Sequence, residues 1–151
     1  MDAGRIFSAW AARGVASVVA LSMLLTAEIA PAAELPVHLG AIGVGKAKPE
    51  VESELRSLLR AELASAEFTR LKTNERYVLS ATLVRLDSVQ SSASARATCV
   101  VSVAILRDGS TLYALINGKA VAEDAKAPAA RRDALRGAVH SAMTRVPRAL
   151  R

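Results

Sequence analysis

The chain has 151 residues, with 20 Lys and Arg against 14 Asp and Glu, a net charge of +6 and one cysteine. A single cysteine excludes an internal disulfide framework. Aromatic residues make up 3% of the chain, which disfavours the stacking platforms that single-stranded nucleic acid and sugar rings require.

The first segment reads as an export signal. Arg5 and Arg13 precede an apolar run from Val15 to Leu25, and Ala30-Pro31-Ala32 supplies small residues at the −3 and −1 positions of a cut after Ala32. Positive residues, an apolar stretch of roughly 7–15 residues and a small-residue site are the three parts of a secretion signal. A spanning helix needs about 20 apolar residues, and this run is bounded by Arg13 and Glu28. We expect residues 1–32 to be a signal peptide and 33–151 to be a single exported domain. Cleavage removes Asp2, Arg5, Arg13 and Glu28, two charges of each sign, so the net +6 is unchanged. The remaining chain of about 119 residues is an ordinary length for one domain, enough to bury roughly 65% of its unfolded surface without staples.

The segment 35–45 alternates weakly, Val37 and Leu39 and then Ile42 and Val44 after a one-residue slip, and predicts a strand bulged at its glycines. Pro49 suits a first helical turn, and Glu50, Glu52 and Glu54 favour the positive end of a helix dipole. Val51, Leu55, Leu58, Leu59 and Leu63 then recur at helical spacing, which predicts a helix over 49–66. From Tyr77 the period becomes two. Tyr77, Leu79, Ala81 and Leu83 share one face of a strand, with Val78, Thr82, Val84 and Leu86 on the other. Ser88 to Ser94 is turn-like, and Cys99, Val101, Val103 and Ile105 mark one face of a third strand. Asp108-Gly109 is a hairpin signal. In the fourth strand, 111–122, the pattern pairs Leu112 with Ala114 and Ile116, and Tyr113 with Leu115 and Val121. Leu135, Val139, Ala142, Met143 and Val146 form the stripe of a last helix over 129–147, ended by Pro147. The order β-α-β-β-β-α implies an α+β two-layer sandwich, mainly antiparallel, with both helices on one sheet face.

This order, with the hairpin from Val101 to Tyr113, the segment Asn117–Val121 and an Ala/Arg-rich helix, resembles small bacterial periplasmic domains. These are the YajG-like and LpoB-like proteins, the curli-secretion accessory proteins and the TolB N-terminal domain. The resemblance spans most of residues 35–150 and rests on order and pattern. It implies binding to other envelope components without catalysis. Many members carry a lipid on an N-terminal cysteine. This sequence departs from them in having only Cys99.

The candidate sites weigh against chemistry. Gly40 to Lys46 fits most of the phosphate-loop pattern G-x-x-x-x-G-K, but Ala47 stands where magnesium needs Ser or Thr, so a glycine-rich strand end is the better reading. His38 and His140 are the only histidines and lack metal or triad spacing. Cys99 reads as a small buried apolar residue. Glu62 falls inside the apolar stripe of the first helix, where a basic partner is expected. Arg132, Arg136 and His140 line one edge of the final helix, with Arg131, Arg145, Arg148 and Arg151 near.

The expectation is a non-enzymatic, exported periplasmic module that binds an envelope component, foremost a protein, with no cofactor and no metal. Arg132, Arg136, His140 and Arg145 are the candidate partner-binding residues. The alternative is a polyanion binder, taking lipopolysaccharide, anionic lipid or nucleic acid on the basic final helix. A small hydrolase built on Glu62 or a histidine is the remote third.

Overall fold

A computed structural model describes residues 36–47, 49–68 and 75–151. The expected signal segment 1–32 lies outside them. Strand β1 (Val37–Gly43) leads to helix α1 (Pro49–Ser65), and strands β2 (Tyr77–Gln90), β3 (Ala95–Arg107) and β4 (Thr111–Asp124) follow. Helix α2 (Ala127–Met143) and the single turn α3 (Val146–Ala149) close the chain.

The four strands form one sheet in the order β1-β2-β3-β4. β2, β3 and β4 pair antiparallel, and β1 pairs parallel with β2. The sheet is therefore mixed, because α1 carries the chain back so that β2 starts from the same end as β1. A register shift between Leu39 and Ile42 supplies the expected irregularity in β1.

Alternation builds the core. Ala95, Ala97, Cys99, Val101, Val103 and Ile105 are all fully buried along one face of β3, matched on β2 by Tyr77, Leu79, Ala81 and Leu83. The helices cover this face: α2 lies across β3 and β4, and α1 rests on β1 and on α2. Leu55, Leu59 and Leu63 point inward from α1, and Ala130, Ala134, Leu135, Ala138, Val139, Ala142 and Met143 from α2. The buried core contains no polar or charged residue among the described residues. None of their helices is long and apolar enough to cross a membrane.

Three details correct the sequence pattern. A bulge between Leu83 and Arg85 makes Val84 an extra residue, so Leu86 comes to stand opposite Cys99 and packs against the core. It does not share the outer face with Val84. A second slip between Ile105 and Leu106 leaves Leu112 exposed and brings Tyr113 edge-on to Tyr77, with ring centroids 5.4 Å apart. Tyr113 and Leu112 therefore do not hold the faces that alternation assigns them. Finally, α2 starts at Ala127 and ends at Met143, and Pro147 lies in the first turn of α3. That position suits a proline, whose missing N–H would be unpaired there. Turn chemistry elsewhere follows the sequence: Asp108 and Gly109 both take positive φ, 52° and 77°, at the centre of a turn closed by the Ser110 N–H donating to Arg107 O at 3.3 Å.

Candidate functional site

Because β1 and β4 run the same way along the sheet, the helices that follow them also run parallel. Two cross-helix pairs show the register. Glu54 of α1 meets Arg132 of α2 at 3.5 Å, and two turns on, Glu62 meets His140 Nδ1 at 3.0 Å. The N-termini of both helices consequently lie at one end of the molecule, beside the bulged part of β2.

A cleft of about 470 Å³ opens there. Lys46, Ala47, Glu50, Val51 and Glu54 contribute from the β1–α1 turn and α1, Pro128, Arg131, Arg132 and Leu135 from α2, and Leu86 from β2. Each wall has a local cause. Gly45 at φ 57° and the Ala47 N–H donating to Val44 O at 3.0 Å fold the turn that places Lys46 at the rim. The β2 bulge turns Leu86 into the cleft, the kind of re-aiming that bulges produce. Arg131 is fixed by donating from Nε to Ser88 Oγ at 2.8 Å. Three cations and two carboxylates thus stand over an apolar floor of Val51, Leu86 and Leu135. The volume falls within the roughly 300–1,000 Å³ of ligand pockets. The lining has no histidine, cysteine or hydroxyl nucleophile. Such a lining can meet opposite charge and apolar surface.

The residues that the sequence singles out are distributed differently. Arg132 lines the cleft, whereas Arg136 pairs with Asp133 at 3.9 Å, His140 with Glu62, and Arg145 Nη1 donates to Asn117 O at 3.3 Å. Arg132, Arg136 and His140 lie along the exposed side of α2, Arg145 lies beyond its end and reaches toward β4, and the four do not converge on a pocket. Glu62 has the basic partner expected of it, and that partner is His140. His38 is exposed on β1. Cys99 is fully buried, and burial pushes its thiol up to about 12. No three His, Cys, Asp or Glu side chains gather as metal ligands among the described residues. Lys46 and Arg131 escaped the sequence reading as a pair. The glycine loop marked Lys46, but only the fold brings residues 46–54 against 128–135.

A second surface is the face of the sheet away from the helices. Val84, Val89, Leu112 and Leu115 are exposed there by 62%, 72%, 60% and 61%.

No protein-family model matches the chain, and no curated protein matches it. Solved structures of similar outline exist. A Caulobacter crescentus protein described as a lipoprotein shares 16% identity over 72% of this chain and 86% of that one, with a TM-score of 0.47. A minor lipoprotein of Acinetobacter baumannii shares 9% over 74% and 90%, with a TM-score of 0.48. A PelC dodecamer of Paraburkholderia phytofirmans shares 13% over 72% and 82%, also with a TM-score of 0.48.

Proposed function

We propose that residues 33–151 are an exported, non-enzymatic interaction module of the cell envelope that binds a protein partner. The observation that carries this reading is the cleft between the two helix N-termini, which sets three cations and two carboxylates over an apolar floor, a lining suited to a charged and apolar partner surface. The signal-like segment 1–32 supports the envelope as its place of work. The exposed Val84, Val89, Leu112 and Leu115 on the outer sheet face add apolar surface that a macromolecular partner could cover.

The polyanion alternative has less support. Arg132, Arg136, His140 and Arg145 are each engaged by a partner within the chain, so a bound polyanion would compete with Glu54, Asp133 and Glu62. The hydrolase reading has less still, because neither Glu62 nor His140 lines the cleft.

Affinity purification after chemical crosslinking in the exporting host tests the proposal, with wild type and the charge-reversed variant Lys46→Glu/Arg131→Glu compared side by side. A specific envelope protein captured by wild type and lost from the folded variant supports it. The same proteins recovered with both chains would contradict it.

A further inference from the structure

β1 ends at Gly43, opposite Thr82, yet β2 continues to Gln90. From Leu83 onward β2 has β3 on one side and, among the described residues, no strand on the other. The outward N–H and C=O groups of such an edge are a template for another strand. Where β1 would have to continue, the chain turns away at Val44–Ala47. The gap it leaves is a second hollow of about 280 Å³, between Val44 and Ala47 on one side and Leu83 to Asp87 on the other. This hollow adjoins the cation-lined cleft, for the two share Ala47 and Leu86.

We propose that this groove takes an extended acidic segment of the protein partner, which lies beside residues 83–90 of β2 and continues the row that β1 leaves unfinished. The inference rests on the protein-partner reading and narrows it to one mode. Successive side chains of a strand point to opposite faces, so every second side chain of the segment faces the helix layer. There Lys46, Arg131 and Arg132 stand against Glu50 and Glu54, and Glu54 is already engaged by Arg132. The surplus is cationic, and it selects carboxylates. The intervening side chains reach the outer face, where Val84 and Val89 are exposed on either side of the Arg85–Asp87 pair that also lines the hollow, and apolar residues suit the two valines. Main-chain hydrogen bonds then supply affinity and the flanking pockets supply specificity, as in other peptides bound by strand addition. A lipid headgroup could meet the same cations but could not pair with the edge of β2.

The test uses the mature protein and a blocked heptapeptide of alternating valine and glutamate. Its controls are the lysine counterpart, an alternately N-methylated form and phosphatidylglycerol vesicles. The glutamate peptide should bind with a dissociation constant below about 1 mM and slow amide exchange within residues 83–90. N-methylation and the variant Lys46→Gln/Arg131→Gln should each weaken binding by about tenfold or more, with the variant's amide spectrum still that of a folded protein. Equal binding of the lysine peptide, binding without slowed exchange, or no binding overturns the proposal. So do vesicles that perturb these residues when the peptide does not. If the crosslinked partner of the preceding section persists and stays sensitive to charge reversal, such a failure removes strand addition alone. Loss of that partner as well removes both readings.

Discussion

Gly118 of β4 lies so close beneath Ala138 of α2 that a Cβ on the glycine would stand 2.0 Å from the Ala138 carbonyl oxygen. The same Cβ would meet Ala142 N at 2.8 Å, and a Cβ on Gly137 would meet Ala120 Cβ at 2.9 Å. Glycine on both sides lets the helix settle onto the edge strand, and the alanines of α2 complete the contact. The helix held down in this way is the one that carries Arg131 and Arg132 at its other end.

Gly118→Ala should therefore be strongly destabilising, by about 3 kcal/mol or more, because the obstructing atoms are backbone and cannot swing aside. Urea unfolding of the variant beside wild type measures it. A loss within about 0.5 kcal/mol would mean that α2 does not sit on β4 as described.

Cys99 should be inert in the folded protein and should make it sensitive to alkali. Burial raises its thiol from 9.0 to about 12. The hydroxyl of Tyr77 also rises, from 10.0 to about 12, first through its hydrogen bond to Glu75 and then through burial. The folded state thus keeps protons that the unfolded chain releases in this window. Stability is full below pH 9.0 and falls as pH rises toward about 12. Unfolding midpoints measured across the window check this. Cys99→Ala should cost about 1 kcal/mol at neutral pH and flatten part of the alkaline loss. Rapid labelling of the native thiol would contradict the burial.

The double variant Arg132→Gln/Arg136→Gln should stay folded. Both side chains are exposed, and their pairs with Glu54 and Asp133 are of the kind worth no more than about 1 kcal/mol each. Thermal unfolding followed by circular dichroism should show a cooperative transition shifted by only a few degrees. Binding to anionic vesicles should be weak and little changed. A steep, salt-sensitive loss of vesicle binding in the variant would instead restore the polyanion reading.

Intact mass of the protein recovered from an exporting host should correspond to a chain beginning at Ala33 or within a few residues of it. Retention of Met1 in a membrane fraction would overturn the reading of residues 1–32.

Much of the architecture was legible because the relevant signal is periodic. The stripe of Leu55, Leu59 and Leu63 and the alternation from Cys99 to Ile105 specify their elements and their buried faces unaided. The bulges were not legible. Val84 and Leu86 are both apolar, so nothing in their order shows that one extra residue separates them onto opposite faces. Tyr113 escaped for the same reason. The alanines of α2 read as helix formers, and their role as contacts emerges only with Gly118 beneath them. The cleft was the least accessible, since its cations come from segments about eighty residues apart, joined only by the parallel course of the two helices.

The most direct test places a photo-crosslinking amino acid at Ala47, the residue shared by both hollows, in the exported protein of living cells. A control carries it at Val121, on the outer face of β4. Irradiation should give one discrete protein adduct from position 47, absent when Lys46 and Arg131 are also changed to Glu. No adduct at position 47, or one that persists after charge reversal, would contradict the account.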